Sequence, residues 1–373
     1  MVRGAGVYLT GDDGKKYLDF AAGIAVNSLG HCHPHLVDAL NRQAQELWHC
    51  SNLFRTVGLE TLANRLVKHT FADTIFMTNS GAESVECGIK MIRRYHFARG
   101  TPRPRIITVS GSFHGRTLAC ISAGKSLRAT EGYEPLLEGF DQVKFGDIEA
   151  IRKAITPETG GIMLETVQGE GGVQVCNQDY LQNVRRIADE HGLLLLLDEV
   201  QCGMGRTGKL LAFEHYCITP DICAIAKGIG NGFPVGACLA TAHAASGMVK
   251  GSHGGTNGGN PLATAVSNAV LDILLEKGFL DNVRNIGDLL KSELTKVVAD
   301  FPRIIEDVRG IGLMLGIKTK SPAADIAVTL RESGLLTVAS ANDNVIRFTP
   351  PLIITPEHVS EAIEIVRKVM NGK

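Results

Sequence analysis

The sequence has 373 residues, 44% of them hydrophobic and 21% charged, with a formal net charge of −1 at pH 7. This composition is typical of a globular protein with enough apolar residues for one large domain and a smaller one. The near-neutral charge excludes a general attraction to nucleic acid or to anionic membranes, so any anion site must be local. Because no apolar run reaches about 18 residues, we expect a soluble, cytoplasmic protein without a targeting segment.

The nine cysteines show no CxxC pair and no regular spacing. An odd number of irregularly spaced cysteines is typical of reduced thiols in a cytosolic enzyme and argues against a disulfide framework. We therefore expect free thiols, most of them small core residues.

The first two thirds of the chain predict a hairpin and then an α/β block. Apolar runs flank a turn signal at residues 11–14, and helical spacing follows at 34–47 and 58–71. From about residue 73, short β-rich runs alternate with helical patterns, which favours βαβ units and a mostly parallel sheet. The predicted strands are 74–77, 105–109, 161–167, 193–197, 222–226 and 237–241, and the helices between them are 83–99, 148–155 and 178–191.

The last third predicts a smaller α+β unit. Its elements are helices at 261–275, 279–298 and 356–370 and strands at 312–318 and 345–348. We therefore predict an α/β fold in which helices cover a mostly parallel sheet in a large domain, and both chain ends form a smaller α+β domain. The predicted boundaries are 1–50 for the N-terminal part of the small domain, 51–262 for the large domain and 263–373 for the C-terminal part of the small domain.

Lys227 directly follows an apolar strand and opens the glycine-rich segment Lys227-Gly-Ile-Gly-Asn-Gly232. A lysine at a strand end usually turns out to solvent. A desolvated lysine in this position is also what Schiff-base chemistry needs, because burial lowers the pKa of the amine and frees a nucleophile. On its own, Lys227 leaves both interpretations open.

Asp198 directly follows the predicted strand 193–197. In a parallel sheet it would reach the same ligand-binding edge as Lys227. There it could pair with the protonated pyridine nitrogen of a cofactor, although a capping or salt-bridged aspartate is the alternative. The turn Asn79-Ser-Gly-Ala-Glu83 precedes a long helix, whose first N–H groups favour a phosphate dianion. The same turn is also an ordinary helix N-cap.

Together with several other motifs, these residues resemble the class III aminotransferases of the acetylornithine/ornithine type, which have the type I pyridoxal-phosphate fold. The motifs are Gly23-Ile-Ala-Val-Asn27, Gly30-His-Cys-His-Pro34, Asn79-Ser-Gly-Ala-Glu83, Phe113-His-Gly-Arg-Thr117, Gln168-Gly-Glu-Gly-Gly172, Asp198-Glu-Val-Gln-Cys-Gly-Met-Gly-Arg-Thr-Gly208, Lys227, Gly254-Gly-Thr-Asn-Gly-Gly-Asn-Pro261 and Arg347-Phe-Thr-Pro-Pro351. They span almost the whole chain.

The resemblance implies a cytoplasmic homodimer that uses pyridoxal 5′-phosphate in a ping-pong cycle. The expected reaction moves the δ-amino group of N2-acetyl-L-ornithine to 2-oxoglutarate in arginine biosynthesis, giving N-acetyl-L-glutamate 5-semialdehyde and L-glutamate. Succinylornithine, succinyl-diaminopimelate, ornithine and 4-aminobutyrate remain alternative donors.

The resemblance also implies which residues hold the cofactor. Gly81 and Ala82 would donate backbone N–H groups to its phosphate, and Phe113 would stack on the pyridine ring. Asp198 would pair with the ring nitrogen, and Gln201 would reach the phenolic oxygen.

Lys227 would carry the cofactor as a Schiff base and would then move the proton between substrate and cofactor. Thr256 would bind the cofactor phosphate of the neighbouring subunit, which would make the active site shared and the homodimer necessary.

Two arginines match the family's carboxylate sites, where a guanidinium fork suits a substrate carboxylate. Arg116 would bind the α-carboxylate of the acylornithine, and Arg347 that of 2-oxoglutarate or glutamate. Glu170 would mask Arg347 during the other half-reaction. Relatives often have Ser or Thr at the position of Gly255, and proline at that of Thr166, so the substrate contact at Gly255 is in question.

Two further patterns suggest other chemistry. The segment Gly203-Met-Gly-Arg-Thr-Gly-Lys209 fits GxxxxGK, but Leu210 follows where Mg²⁺ needs a hydroxyl, so we exclude a phosphotransferase. His31, His33 and His35 resemble metal ligands, but alternate side chains of an extended segment face opposite sides. A structural turn before a helix at Pro34 is the favoured interpretation, and no metal is predicted.

Overall fold

The computed structural model describes residues 1–340 and 343–372. Residues 341–342 and 373, which belong to the predicted C-terminal part, lie outside the described residues. The strands are β1 Arg3–Ala5, β2 Tyr8–Thr10, β3 Lys16–Asp19, β4 Thr74–Thr78, β5 Arg105–Val109, β6 Phe140–Val143, β7 Thr159–Glu165, β8 Val167–Gln168, β9 Gln174–Val175, β10 Leu194–Asp198, β11 Ile222–Ile225, β12 Gly236–Ala240, β13 Ile305–Ile311, β14 Met314–Thr319, β15 Leu335–Leu336, β16 Val338–Ala339 and β17 Val345–Phe348.

The helices alternate with these strands along most of the chain. They are α1 Ala22–Ala25, α2 Pro34–Ala44, α3 Val57–His69, α4 Gly81–Ala98, α5 Leu118–Gly124, α6 Leu127–Thr130, α7 Ile148–Ala154, α8 Gln178–His191, α9 Ala242–Ala245, α10 Pro261–Leu274, α11 Phe279–Asp300, α12 Ala323–Glu332 and α13 Pro356–Asn371, with short 3₁₀ turns at Ala212–Tyr216 and Lys227–Ile229. In the part of the chain that the structure describes, no helix is both long and apolar enough to cross a membrane.

A sheet of seven strands, in the order β4-β12-β11-β10-β7-β5-β6, forms the centre of the protein. From β11 to β6 all neighbours are parallel, and only β12 runs antiparallel to its two neighbours. Leu194 and Leu196 pack in one apolar cluster with α4, whereas Leu195 and Leu197 pack in another with α8. This two-sided cover explains the unbroken leucine run and confirms the predicted mostly parallel α/β sheet.

The register of the central strands brings polar residues level with one another at the C-terminal edge of the sheet. Asp198 lies opposite Glu165 on β7 and opposite Ala224 on β11. One residue, Ala226, separates β11 from Lys227, which begins a short 3₁₀ turn. The edge therefore gathers a carboxylate from each of two strands and an amine from the third.

Two smaller sheets contain the ends of the chain. Strands β13, β14, β17 and β16 form one antiparallel sheet. The other contains β1, β2 and β3 together with β15, and Leu18 of β3 pairs with Leu335 of β15 in parallel. Both chain ends therefore meet in a smaller α+β unit, as the predicted fold requires. The domain boundaries themselves stay a prediction.

Several elements differ from the prediction. The strand expected at 312–318 is the second arm of a hairpin, β13–β14, whose first arm has the mixed sequence Ile-Glu-Asp-Val-Arg-Gly-Ile. The strand expected at 161–167 ends at Glu165, and Val167–Gln168 starts a separate hairpin with β9. Helix α12 and strands β6, β15 and β16 were not predicted. The strands among them are short, and pairing over a long sequence distance decides whether such segments are strands.

Gly312, in the β13–β14 turn, is expected to be more sensitive to substitution than a glycine of positive φ whose Cβ would meet open space. Its φ is +58°, and a Cβ would lie 2.6 Å from the carbonyl carbon of Thr207. Gly312→Ala should lower the free energy of unfolding by about 1 kcal/mol for the backbone and by about 1–3 kcal/mol more for the clash, measured by urea denaturation. Gly278→Ala is the matched control, with φ +88° and nothing within 4 Å of its Cβ. Equal losses would show that the close approach has no energetic weight.

Candidate active site

A cavity of about 280 Å³ opens at the C-terminal edge of the central sheet. Among its lining residues are Asn79, Ser80, Gly81, Ala82, Phe113, His114, Glu165, Asp198, Val200, Gln201 and Lys227. The cavity therefore brings together all the residues predicted to hold a cofactor except Thr256. The predicted substrate residues, Arg116, Glu170, Gly255 and Arg347, lie outside this lining.

Asp198 and His114 form a buried pair at the floor of the cavity. His114 Nδ1 lies 2.7 Å from Asp198 Oδ2, and the two side chains are 0% and 3% exposed. Burial opposes protonation of His114, but the hydrogen bond and the charge of Asp198 outweigh it and raise the pKa of the imidazole. The other carboxylate oxygen, Oδ1, accepts the N–H of Val200. The contact with Asp198 thus favours the protonated form of His114.

Glu165 is a second buried carboxyl at this edge. Its Oε1 accepts the N–H of Phe113 at 2.8 Å and its Oε2 accepts the N–H of Gly169 at 3.4 Å. Burial, followed by the charge of Asp198, raises the pKa of Glu165 to about 7. Glu165 therefore connects the loop of Phe113 to the loop of Gly169.

Lys227 is half-buried and lines the cavity. Burial lowers its pKa below the ordinary lysine value, although the nearby charges of Asp198 and Glu165 oppose that shift. Its φ of +47° is uncommon for a residue with a side chain. A positive φ at a lining residue is a form of backbone strain that accumulates at functional sites.

The N-terminus of α4 provides hydrogen-bond donors at the same cavity. Ser80 is the N-cap and its hydroxyl accepts the N–H of Glu83, whose carboxylate in turn accepts the N–H of Asn79. The N–H groups of Gly81 and Ala82 come first in the helix and have no intrahelical acceptor. A Cβ on Gly81 would lie 2.6 Å from Val200 Cγ1, so only glycine allows this close approach of α4 to the loop after β10.

Arg347, on β17, lies beside the cavity and is paired with Glu170. Its Nη1 is 2.7 Å from Glu170 Oε1, and the two side chains are 2% and 17% exposed. The same nitrogen donates to Gln201 Oε1 at 3.5 Å. The structure thus brings together the arginine and the acid that the sequence motifs assigned to one carboxylate site.

The other predicted substrate and phosphate residues are on the surface. Arg116 is exposed, and its guanidinium carbon lies 5.1 Å from the centroid of the Phe113 ring, at the cavity mouth. Thr256 is exposed and Gly255 is half-buried, in a loop that does not line the cavity. Within one chain, the structure does not bring these two residues to the other site residues.

Glu199, next to Asp198, anchors the following loop. It is fully buried and accepts hydrogen bonds from the Thr166 hydroxyl at 2.8 Å and from the N–H groups of Ala212 and Phe213. Burial raises its pKa to about 7. The hydroxyl at Thr166, a position where the motif commonly has proline, therefore supplies a hydrogen bond that proline could not.

The two patterns that suggested other chemistry have structural explanations. The segment 203–209 lies in turns between β10 and a 3₁₀ turn, without the helix that a phosphate loop needs. His31 pairs with Asp19 at 2.7 Å and His35 with Asp272 at 2.8 Å, and α2 begins at Pro34. Over residues 1–340 and 343–372, no group of three or more His, Cys, Asp or Glu side chains could hold a metal ion.

Sequence reasoning missed His114 and Glu165. The motif Phe113-His-Gly-Arg-Thr117 contains His114, but nothing in its spacing predicts contact with Asp198. Glu165 is the last residue of β7, as Asp198 is of β10, but the predicted strand ran on to residue 167. Only a strand boundary two residues earlier would have let the argument that selected Asp198 select Glu165 as well.

Comparisons with known proteins agree over the whole chain. A family model described as aminotransferase class-III matches residues 1–370. The acetylornithine aminotransferase of Mesorhizobium japonicum is 56% identical over 370 residues, which cover 99% of this chain and 92% of that protein.

Two solved structures are also similar. The ornithine aminotransferase of Toxoplasma gondii, crystallized with oxidized glutathione and with PLP at partial occupancy in its active site, matches with a TM-score of 0.95 and 30% identity, covering 99% of this chain and 89% of that one. The N-acetylornithine aminotransferase of Stenotrophomonas maltophilia matches with a TM-score of 0.86 and 37% identity, covering 99% and 94%.

The pairing of His114 with Asp198 predicts a specific change in titration. In Asp198→Asn the pKa of His114 should fall below the ordinary histidine value, because burial persists while the charge that opposed it is gone. NMR of histidine labelled with ¹³C at Cε1 would follow both proteins from acid to alkaline pH. Glu170→Gln, which neutralises a carboxyl paired with Arg347 instead, is the control and should leave the His114 curve in place. An unchanged His114 pKa in Asp198→Asn would contradict the assignment.

Proposed function

This chain belongs to the class III aminotransferases, and on that premise we propose that it transfers the δ-amino group of N2-acetyl-L-ornithine to 2-oxoglutarate. The products are N-acetyl-L-glutamate 5-semialdehyde and L-glutamate, in a ping-pong reaction of arginine biosynthesis. The observation that carries the reaction class is that the Lys227 amine, the Asp198–His114 pair and the N-terminus of α4 share one cavity. The donor is supported by relatives at 44–56% identity that are named acetylornithine aminotransferase.

Three features of this cavity fit pyridoxal 5′-phosphate, the cofactor of the family. The N–H groups of Gly81 and Ala82 have no intrahelical acceptor, and helix N-termini bind phosphate. Asp198 is a buried carboxylate paired with His114, which suits a protonated pyridine nitrogen. Lys227 has an amine of lowered pKa beside them. Phe113, which lines the same cavity, would stack on the ring, and Gln201 would reach its phenolic oxygen.

Each residue then has a definite task in the chemistry. When bound, the cofactor supplies a carbon that amines attack and a cationic ring that accepts electron density. Lys227 acts as the nucleophile that holds the group and, once displaced, as the base and acid that moves one proton at its Nζ. Burial favours this role, because it keeps a larger fraction of the amine neutral. Asp198, oriented by its hydrogen bond to His114, would pair with the protonated ring nitrogen.

Two arginines account for the two substrates. Arg116, at the cavity mouth, would bind the α-carboxylate of the acylated donor. Arg347 would bind the α-carboxylate of 2-oxoglutarate, and Glu170 neutralises this guanidinium while the donor is present. The switch therefore consists of Glu170 leaving or rejoining Arg347. Free ornithine is a second candidate donor, favoured by the similarity to ornithine aminotransferase of Toxoplasma gondii.

The surface around Thr256 supports the proposal of a cytoplasmic homodimer with shared sites. The Asn52 amide donates to the carbonyl of Gly255, so the segments around residues 52 and 255 are neighbours. Both carry exposed apolar side chains, including Leu53, Phe54 and Val249, which are 81%, 66% and 55% exposed. Such patches mark protein interfaces, and Thr256 would reach the partner's cofactor phosphate across this one. A monomer in sedimentation velocity would contradict the proposal.

Lys227→Ala should abolish both turnover and covalent retention of the cofactor. After borohydride reduction, mass spectrometry should find the cofactor mass on the peptide that contains Lys227 in the native protein and nowhere in the variant. Turnover should fall by at least about 10³-fold, because the nucleophile and the proton carrier are lost together. Lys209→Ala, which leaves this cavity intact, is the control. A Lys227→Ala protein with native activity would disprove the mechanism.

Arg116→Ala and Arg347→Ala should affect opposite halves of the reaction. Single-turnover absorbance with N2-acetylornithine should show a larger loss for Arg116→Ala, and with 2-oxoglutarate a larger loss for Arg347→Ala. Each loss should be about 10–10³-fold in kcat/KM, the effect of removing one partner of a charged hydrogen-bonded pair. Ornithine and succinylornithine, run in the same assay, rank the alternative donors. Equal losses in both halves would undo the assignment of the arginines.

A further inference from the structure

Glu170 lies in a short turn that joins two paired strands. Val167 pairs with Val175 and Gln168 with Gln174, and residues 169–173, the Glu170 turn, connect them. Inside the turn, Gly172 and Val173 donate their N–H groups to the carbonyl of Gly169. Gly172 and Val173 both have positive φ, at +93° and +51°. A turn with such backbone needs contacts elsewhere to hold its conformation.

Those contacts come from three residues in register across neighbouring strands. Arg309 on β13 lies opposite Gly316 on β14, and Gly316 lies opposite Arg347 on β17. Directly paired residues of an antiparallel sheet share one face, so the two arginines project from the same face on either side of Gly316. With a strand spacing of about 4.8 Å, their backbones are about 10 Å apart.

The Glu170 turn occupies the space between these arginines. Arg347 holds the carboxylate of Glu170 at 2.7 Å. Two residues later in the turn, the carbonyl of Gly172 accepts a hydrogen bond from Arg309 Nη1 at 3.3 Å. Val173 is 0% exposed and fills the place of the missing side chain at Gly316, where a Cβ would lie 3.0 Å from Val173 Cγ2.

Asp343 fixes the guanidinium of Arg309 in this position. Its Oδ2 lies 3.0 Å from Arg309 Nη1, the same nitrogen that donates to Gly172. Arg309 Nε also approaches Asp307, at 3.4 Å, but that carboxylate is 59% exposed and does not contact the turn. The Asp343–Arg309–Gly172 chain therefore ties the turn to the antiparallel sheet that also carries Arg347.

We propose that Arg309 is a positioning residue that keeps the Glu170 turn closed on Arg347 and thereby sets the affinity for the 2-oxo acid substrate. The inference rests on the proposed function, in which Arg347 binds that substrate only after Glu170 leaves. The apparent affinity for the oxo acid falls as the fraction of protein with a closed turn rises, because only the open form binds it. Arg309 raises that fraction without touching either substrate.

A cleft behind the turn leaves room for its displacement. Its volume is about 630 Å³, and its walls include Val173, Gln174 and Val175 on one side and Arg309 and Ile311 on the other. The hairpin therefore borders open space on one side, while Val173 packs against Gly316 on the other. The polar contacts that hold the turn are those of Glu170 with Arg347 and of Gly172 with Arg309.

The test compares Arg309→Met and Asp343→Asn with Asp307→Asn, using purified protein loaded with pyridoxal phosphate. Arg309→Met should lower KM for 2-oxoglutarate about three- to tenfold while kcat is retained, because more of the protein is open before the substrate arrives. Asp343→Asn should act in the same direction by a smaller factor. Asp307→Asn removes the Arg309 contact that does not reach the turn, and it should leave KM unchanged.

A double variant separates positioning from general destabilisation. In a Glu170→Gln background the closed state is already weakened, so adding Arg309→Met should change KM no further. The proposal would be overturned if Arg309→Met changed KM by the same factor in both backgrounds. It would also be overturned if Arg309→Met lowered kcat and raised KM together.

Hydrogen exchange of the peptide covering 168–176 gives a readout besides activity. It should speed up in Arg309→Met and stay native in Asp307→Asn, and equal exchange in all three proteins would also overturn the proposal. If the native protein showed no turnover of 2-oxoglutarate with any donor, the proposed function would fail, while the exchange data would still decide whether Arg309 holds the turn.

Discussion

The hydrogen bond between His114 and Asp198 is the interaction on which the rest of the site depends. Burying a lone carboxylate is costly unless a partner compensates it, and here the partner is an imidazole whose pKa the same contact raises. His114 thus compensates the burial of Asp198 at a sheet edge that also holds Glu165 and Lys227. Glu165 and Lys227 respond to burial instead, the first by a raised pKa and the second by a lowered one.

The ion pair of Arg347 and Glu170 also compensates a buried charge, but its acidic partner is less enclosed. Arg347 is as deeply buried as Asp198, and Glu170 is its partner. Unlike His114, which is enclosed in the core, Glu170 is 17% exposed and sits in a turn with a cleft behind it. In the proposed function, the first pair therefore stays fixed beside the cofactor, whereas the second separates to make way for a substrate carboxylate.

Sequence alone predicted the central sheet and part of the site, because those features follow from local patterns. Unalternating apolar runs located the buried strands, and the strand-end rule put Asp198 and Lys227 at one edge. The turn before α4 suggested a phosphate site, and the resemblance to the family assigned that site to Gly81 and Ala82. The sequence could not predict which distant segments pair with each other. His114 meets Asp198 across 84 residues, and the register of Arg309, Gly316 and Arg347 exists only once β13, β14 and β17 have paired. The roles drawn from the family motifs remain proposals for the experiments.

The pairing of β3 with β15 has a consequence for the order in which the chain folds as it is made. The seven strands of the central sheet all lie between Thr74 and Ala240, so this sheet can assemble while the C-terminal third is still untranslated. Strand β3, by contrast, must wait for Leu335, and the hydrogen bonds from Leu18 and Phe20 to Gly334 and Leu336 close a loop of more than three hundred residues. Until then β3 pairs only with β2 and its other edge stays open, and exposed strand edges of this kind recruit other chains. The first twenty residues are thus a segment that a nascent-chain chaperone would protect during synthesis.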